Sequence, residues 1–153
     1  MGKISIKGVL VGGIVDIVTS SILAIPLIVV LVARANISAL PKAQQTPVLT
    51  AAMHDSPMFF FTGLIAGSLA SILGGYVAAR IAKSEALLNG ALSSWLCIAS
   101  GIYSMLGKSD SMTPTQHALY LLASPVLGAL GGALWQRMAM KASGDEGAPL
   151  QAA

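Results

Sequence analysis

The stretch LGGYVAARIAKSEALLNGALSSW, residues 73–95, joins two strongly apolar segments through a short charged turn. Only 10% of the residues in the chain are charged, yet Arg80, Lys83 and Glu85 lie close together here. Small residues, mainly Gly and Ala, flank these charges on both sides. The pattern is typical of a helical hairpin whose arms lie in an apolar environment and whose turn reaches its polar edge.

The composition of the whole chain places that hairpin in a membrane. The 153 residues allow one domain, of which 55% is hydrophobic, and the mean hydropathy is +0.78. A soluble domain carries roughly a quarter charged residues, so this chain has too few to cover a water-facing surface. Its nine Lys and Arg residues are spread along the chain, which excludes a nucleic-acid-binding stripe and suits lipid head groups. We therefore interpret the chain as an integral membrane protein whose main partner is the lipid bilayer.

Four apolar segments are long enough to cross a bilayer as helices, which takes about 18 or more residues with few charges. The fold class is therefore an all-α integral membrane protein, a four-transmembrane-helix bundle that forms a single domain over residues 1–141. Residues 142–153 are small and polar and are predicted to be a disordered tail. The predicted spans are residues 8–33, 57–82, 86–106 and 115–136.

Positive charge is distributed unevenly between the span ends, and this predicts the orientation. The positive-inside rule puts the more cationic end in the cytoplasm, so both termini are expected there. The localisation that follows is a multi-pass protein of the cell membrane. The six cations at the expected cytoplasmic end are Lys3, Lys7, Arg80, Lys83, Arg137 and Lys141, and the other three are Arg34, Lys42 and Lys108.

The segments between the spans contain capping signals. Ser56-Pro57 predicts the start of the second span, since a hydroxyl residue before a proline suits a helix N-terminus. Ser84 is the expected N-cap of the third span, with Glu85 in its first turn. PVLTAAMHD, residues 47–55, predicts a short external surface helix between spans one and two.

Rows of small residues at four-residue spacing predict where the helices pack. Lipid is as apolar as leucine, so close backbone approach rather than burial drives association in a bilayer. The rows also contain Asp16 and Ser20 in the first span, Ser71 in the second, Cys97 in the third and Ser124 in the fourth. The glycines predicted to pack are Gly8, Gly12, Gly63, Gly67, Gly75, Gly128 and Gly132.

Asp16 is the one acidic residue inside a predicted span and the main candidate for a functional residue. An ionisable group within a span costs at least ~2.5 kcal/mol on insertion scales, so it is expected to face protein. Its depth is expected to match that of Ser71, Ser93 and Ser94, with Arg80 within reach. Two interpretations stay open: Asp16 fixes helix register, either neutral or paired with Arg80 or the serines, or it handles a proton or cation.

Metal and catalytic motifs find little support in the sequence. Met53, His54 and His117 are expected near the outer surface, where thioether and imidazole groups would suit copper. Their spacing matches no recognised metal motif, so we predict no metal and no other cofactor. The chain contains no HExxH, CxxC, GxSxG or P-loop pattern, and we predict no catalytic residue.

The hairpin also carries a family resemblance. Its GGxxAxR motif and the small residues after the turn resemble those of a loose group of small bacterial four-helix membrane proteins of unknown function. Asn89 here precedes Gly90 where His is often expected in that group, and Asn89 itself is expected to bond neighbouring backbone. The resemblance implies a bacterial inner-membrane protein. The matching residues are Gly74, Gly75, Ala78, Arg80, Gly90 and Ala91.

Two functions follow from these observations. The first is a non-enzymatic membrane protein with a structural or accessory role, acting through helix contacts with a membrane-protein partner or in a homo-oligomer. The alternative is a small ion- or proton-coupled transporter that uses Asp16 as its titratable site, with Ser71, Ser93 and Ser94 lining a path. A single acid in the first of four short helices is similar to small multidrug-resistance exporters, and this analogy favours the alternative.

Overall fold

The structure is a computed structural model that describes residues 4–106 and 113–145. These ranges form helices and short connections, with four segments long and apolar enough to cross a membrane, as the sequence predicts. The helices are α1 (Ile6–Arg34), α2 (Lys42–His54), α3 (Pro57–Ala82), α4 (Ala86–Ser93), α5 (Trp95–Leu106) and α6 (Pro114–Asp145), with a 3₁₀ turn (Ile37–Ala39) after α1.

Serine side chains define the starts of α1 and α3. The Oγ of Ser5 accepts a hydrogen bond from the Gly8 amide at 3.1 Å. The Oγ of Ser56 accepts one from the Phe59 amide at 3.2 Å, and Pro57 takes the first helical position. A proline there loses no helical hydrogen bond, because the first amides of a helix have no partner within it. The Ser56-Pro57 start is therefore as predicted.

Helix α2 begins earlier than the sequence suggests. The predicted surface helix started at Pro47, but α2 begins at Lys42 and contains Pro47. Its first turn is supported from the preceding segment, because the Gln45 side-chain amide donates to the Leu40 carbonyl at 2.9 Å. The Gln44 backbone amide donates to the Pro41 carbonyl at 2.8 Å. A helix between spans one and two is thus present, with different bounds.

The turn between α3 and α4 differs from the expected cap. Glu85, rather than Ser84, precedes α4, and its side chain makes no capping hydrogen bond. The turn is held instead by Asn89, whose Nδ2 donates to the carbonyls of Ser84 at 2.8 Å and Glu85 at 3.1 Å. The expected backbone bonding of Asn89 is therefore correct. The expected N-cap is wrong, because α4 begins one residue later and the Ser84 hydroxyl donates to the Ala82 carbonyl at 3.4 Å.

The third span is interrupted at Ser94, which separates α4 from α5. The Ser94 amide bonds the Ala91 carbonyl, three residues back, at 3.3 Å. A continuous α-helix would use the Gly90 carbonyl, but that oxygen accepts the Ser93 hydroxyl at 2.7 Å. Competition from a serine side chain for a helix carbonyl is a known cause of bends. The predicted third span, residues 86–106, is therefore present as two consecutive helices, α4 and α5.

The last helix is longer than predicted. Helix α6 continues to Asp145, so residues 142–145 of the predicted tail are helical. The residues leading into this part, Met138 to Ala142, are mainly Met, Ala and Lys, which favour helix. The rest of the predicted tail, residues 146–153, lies outside the described residues, as do Lys3 and Lys108.

Three chain segments meet at one end of the bundle. The Ser5 amide donates to Asn89 Oδ1 at 2.8 Å, which ties the start of α1 to the start of α4. A Cβ added at Gly132 would collide with the Ala86 carbonyl, which places α6 beside the same turn. Lys7, Arg80, Lys83, Arg137 and Lys141 therefore lie toward this end, which we call the turn end.

The interior of the bundle is built from small residues, and the large apolar side chains point outward. Leu122, for example, is 75% exposed and Ile6 is 74% exposed. This arrangement suits a chain surrounded by lipid, where outward apolar groups carry no penalty. The buried residues of α1, α3 and α4 are Gly8, Val9, Gly12, Gly13 and Asp16, then Ala70, Ser71, Gly74, Gly75, Ala78 and Ala79, then Ala86, Asn89, Gly90 and Ser93.

Candidate functional site

Asp16 lies inside the bundle and is 1% exposed. Its Oδ2 accepts hydrogen bonds from the Ser71 hydroxyl at 3.0 Å and from the Cys97 thiol at 3.2 Å. Its Oδ1 accepts one from the Ser20 hydroxyl at 3.4 Å. Side chains from α1, α3 and α5 therefore converge on one carboxylate, and both of its oxygens have partners.

Glycines bring the helices close enough for this convergence. A Cβ added at Gly12 would lie 2.6 Å from the Gly74 carbonyl, and one at Gly74 would lie 2.9 Å from the Asp16 Cβ. Such distances do not occur for real Cβ atoms, so α1 and α3 can cross here only because these positions carry no side chain. The crossing places Asp16 directly against Gly74 of α3, and Gly74 lies about one helical turn from Ser71.

The polar contacts continue from Asp16 to the fourth span. The Ser71 hydroxyl lies 3.5 Å from the Ser124 hydroxyl, and the Ser94 hydroxyl donates to the Ser124 carbonyl at 2.8 Å. We call this group the Asp16 cluster: Asp16, Ser20, Ser71, Ser94, Cys97 and Ser124. Within the described residues, every buried side-chain nitrogen and oxygen has a hydrogen-bond partner.

The expected partners of Asp16 divide into those in contact and those nearby. Ser71 bonds the carboxylate directly. Ser93 and Ser94 are fully buried, but their hydroxyls go to the Gly90 and Ser124 carbonyls. They lie beside the Asp16 site and shape the interruption of the third span without binding the carboxylate.

Of the partners left open for Asp16, Ser71 is in contact with it and Arg80 is not. Arg80 is exposed, and in the described part of the chain Asp16 makes no ion pair. Arg80 follows Ser71 by nine residues, which is about 13 Å along α3 at 1.5 Å per residue. Nine steps of about 100° also turn it to the opposite side of the helix from Ser71. Arg80 therefore belongs to the cationic turn end.

Sequence reasoning missed three members of the Asp16 cluster. Cys97, Ser20 and Ser124 were placed in the packing rows but not among the partners of Asp16. Ser20 carries a usable signal, because a residue four positions after Asp16 lies on the same helix face. The sequence signal for Cys97 and Ser124 is weaker. Their rows of small residues indicate which face of the helix packs, but not which neighbouring helix it packs against.

The predicted packing glycines also divide into two groups. Gly8 and Gly12 meet α3, Gly75 meets Gly128 and Gly132 meets Ala86, each with backbone atoms where a Cβ would stand. Gly63 and Gly67 are different, because the nearest atoms are those of the Tyr120 ring system, 3.9 Å away. Those two positions have room for a methyl group. Four further glycines also lie at close approaches: Gly13, Gly74, Gly90 and Gly131.

The metal-ligand candidates do not gather in the described part of the chain. His54 Nδ1 lies 3.0 Å from Asp55 Oδ1 in an exposed pair at the end of α2, and Met53 precedes it. The described residues contain no group of three or more His, Cys, Asp or Glu side chains able to hold a metal ion. His117 lies in α6, and its side chain is outside the described atoms.

Comparison with known proteins adds no relative. No family model matches this chain, and no curated protein or solved structure is significantly similar to it. The likeness to the GGxxAxR group therefore remains a prediction. The geometry of the Asp16 cluster is the guide to what the site does.

Proposed function

We propose that the chain is a non-enzymatic, multi-pass membrane protein with a structural or accessory role. The supporting observation is the complete internal bonding of the Asp16 carboxylate, which is 1% exposed and accepts from three side chains of its own chain. The cationic turn end and the resemblance of the hairpin support a bacterial inner membrane, with the turn end in the cytoplasm.

In this role Asp16 sets the register of the bundle. Its hydrogen bonds reach Ser71 on α3 and Cys97 on α5, so sliding either helix by one turn would separate the partners. A carboxylate left without donors in an apolar interior carries a large penalty, which makes alternative registers unfavourable. Fixing register is the best-attested use of buried polar groups between helices.

The surface for a partner lies on the second part of α1. All buried residues of α1 fall between Gly8 and Asp16, and none occurs from Ile17 to Arg34. Ile22, Ile25 and Val29 are exposed apolar residues along this length. In a bilayer such a stretch contacts either lipid or another membrane helix, and this is the face proposed to bind the partner.

Site-specific photocross-linking in native membranes tests the accessory role. A photoreactive residue at Ile25 is expected to give one protein adduct of defined mass, either a second copy of this chain or a distinct membrane protein. The matched control is Ile65 on the outward face of α3. The proposal would be contradicted if both positions gave the same mixture of protein adducts of many masses, or if Ile25 gave lipid adducts alone.

One observation favours the alternative function, a small ion- or proton-coupled transporter. The third span is interrupted at Ser94, within the Asp16 cluster, and transporters build substrate and ion sites from interrupted helices at the middle of the membrane. In this function Asp16 exchanges a proton or cation, and the Ser71 and Ser124 hydroxyls continue the path.

Proteoliposomes separate the two functions. The transporter predicts cation or proton flux that is driven by an imposed gradient and is lost in Asp16→Asn but kept in Asp55→Asn, which changes an exposed acid outside the spans. The accessory role predicts no flux above empty liposomes for the wild type or either variant. A flux that survives Asp16→Asn would contradict the transporter.

A further inference from the structure

An open cavity of about 450 Å³ lies at the turn end, in a surface groove between the α3–α4 turn and the last part of α6. Its volume falls in the range of small-molecule sites. The turn contributes Lys83, Ser84, Glu85, Ala86 and Leu87, and α6 contributes Trp135, Gln136, Ala139 and Met140. None of these residues belongs to the Asp16 cluster.

The cavity exists because two helices separate after a close contact. α4 and α6 touch at Ala86 and Gly132, where there is no space for a Cβ. Beyond this point α6 continues to Asp145, while the segment that precedes α4 turns away through Glu85 and Lys83 toward α3. The resulting wedge opens at the level where the apolar spans end.

The lining carries one charge of each sign. Lys83 and Glu85 are both exposed, and within the described residues they do not form an ion pair with each other. Their backbones have positive φ values of 54° and 43°, which turn the chain sharply around Ser84. The Gln136 amide and the Trp135 indole add neutral hydrogen-bonding groups.

The same cavity has an apolar edge. Leu87 is 53% exposed and Met140 is 60% exposed. Leu87 lies in the first turn of α4, which continues into the third span, whereas Met140 lies beyond the Ala86–Gly132 contact, toward the end of α6. Trp135 is of the residue type that favours the boundary between lipid tails and head groups. A ligand that fits this lining has a polar part with both charges and an apolar part that extends along the spans.

We propose that the cavity binds the head group of phosphatidylethanolamine. Lys83 binds the phosphate, the Glu85 carboxylate accepts hydrogen bonds from the primary ammonium, and one acyl chain lies along Leu87. This inference goes beyond the accessory role, and it rests on the membrane placement proposed above.

The charges of the lining decide between head groups. An anionic lipid such as phosphatidylglycerol satisfies Lys83 but has no cationic group for Glu85. Phosphatidylcholine carries the positive charge, but its methylated nitrogen has no N–H to donate. Only a head group with both a phosphate and a primary ammonium complements Lys83 and Glu85 together, and charge-assisted hydrogen bonds of this kind are the stronger ones.

Quenching of Trp135 fluorescence measures binding directly. The chain has two tryptophans, so Trp95→Phe leaves Trp135 as the only one. This variant in detergent is titrated with brominated phosphatidylethanolamine, phosphatidylcholine and phosphatidylglycerol. We expect phosphatidylethanolamine to bind roughly tenfold more tightly than phosphatidylcholine, the factor expected from one charge-assisted hydrogen bond. Equal affinities, or tighter binding of phosphatidylglycerol, would overturn the proposal.

Charge variants assign the two halves of the head group. Glu85→Gln is expected to remove the preference for phosphatidylethanolamine over phosphatidylcholine, and Lys83→Gln to weaken binding of all three lipids. Asp55→Asn and Lys42→Gln, which remove charges away from the turn end, serve as controls. A preference that persists in Glu85→Gln would overturn the assignment, provided that its circular dichroism matches the parent protein.

Two further measurements separate the possible sources of failure. Soluble phosphoethanolamine is expected to compete poorly with the brominated lipid, and full competition would overturn the lipid as the ligand. Extraction of native membranes with alkaline carbonate is expected to leave the protein in the membrane fraction. Release of the protein would overturn the membrane placement itself, whereas retention without lipid preference would overturn the cavity proposal alone.

Discussion

The two halves of the bundle have similar compositions but pack differently. In the turn half, from the α3–α4 turn to the level of Asp16, glycines on neighbouring helices meet backbone to backbone, as Gly75 does with Gly128. In the loop half, beyond Asp16, Gly63 and Gly67 face only the Tyr120 side chain at 3.9 Å. Four-residue rows of small residues run through both halves, but among the described glycines the backbone-to-backbone contacts lie in the turn half.

Asp16 marks the boundary between these halves. It is the last buried residue of α1, and its partner Ser71 lies next to Ala70, the first buried residue of α3. The difference shows that a glycine row permits close approach without requiring it. Where the helices meet is decided by the side chains opposite the row, here the Asp16 cluster and the large ring of Tyr120.

The largest expected effect breaks the close packing of the turn half. Gly75→Ala places a methyl group on the Gly128 carbonyl oxygen, and backbone cannot move away as a flexible side chain can. We expect a loss of about 3 kcal/mol in the free energy of unfolding, at the upper end of overpacking costs. Unfolding in mixed detergent with increasing SDS, followed by circular dichroism, measures it.

The loop half supplies the matched control for that substitution. Gly63→Ala introduces the same methyl group 3.9 Å from the Tyr120 hydroxyl, an ordinary contact distance. We expect a change of zero to about 1 kcal/mol in the stabilising direction, because alanine favours helix over glycine. Equal destabilisation by both substitutions would remove the distinction between the two halves.

The next effect concerns the boundary between the halves. Asp16→Ala leaves the Ser71 and Cys97 donors without their acceptor, and we expect a loss of about 2 kcal/mol. Asp16→Asn keeps one acceptor oxygen and should cost less than the alanine variant. The same SDS titration measures both, and an Asp16→Ala variant as stable as the wild type would show that the carboxylate does not hold the register.

A smaller effect is expected at the connection between α1 and the turn. Asn89→Ala removes the acceptor for the Ser5 amide and the donor to the Ser84 and Glu85 carbonyls. We expect a loss of about 1.5 kcal/mol, since the exposed ends of these groups can bond water. The rate of amide hydrogen exchange should increase at the start of α1 and stay the same in α2. An unchanged exchange rate at the start of α1 would show that Asn89 does not hold this connection.

The smallest expected effect is a gain in stability. Lys83 follows α3 with a φ of 54°, a left-handed conformation that glycine adopts without strain. Lys83→Gly should therefore stabilise the protein by about 0.5–1 kcal/mol, while weakening the proposed lipid binding. Lys42→Gly, within helix α2, is the contrasting change and should destabilise that helix.

The sequence predicts the helices better than their contacts. Hydropathy identifies four spans because each needs a long apolar segment, and Ser56-Pro57 identifies the start of α3 because capping is local. The interruption at Ser94 is less accessible, since it depends on the Ser93 hydroxyl taking the Gly90 carbonyl rather than on a proline or glycine. The early start of α2 is accompanied by two hydrogen bonds to the preceding segment, from the Gln45 side chain to the Leu40 carbonyl and from the Gln44 amide to the Pro41 carbonyl.

The candidate site was predicted only in part, because some of its contacts follow from local patterns and others depend on how the helices pack. The burial of Asp16 and its contact with Ser71 follow from their places in neighbouring rows of small residues. Whether the Cys97 thiol reaches Asp16, and whether Arg80 does, depends on the rotation of each helix about its axis. Rotation is set by packing against several neighbours at once, and a single sequence does not encode it in a local pattern.

The central claim is that four spans cross a membrane with α1, the α3–α4 turn and α6 meeting at one cytoplasmic end. Single cysteines introduced at Lys7, Lys83, Lys141 and Lys42 test it most directly, in a Cys97→Ser background that keeps a donor for Asp16. With a membrane-impermeant maleimide on sealed vesicles of known orientation, we predict that the first three react only from the cytoplasmic side and Lys42→Cys only from the other. Reaction of Lys7→Cys and Lys83→Cys from opposite sides would contradict the account.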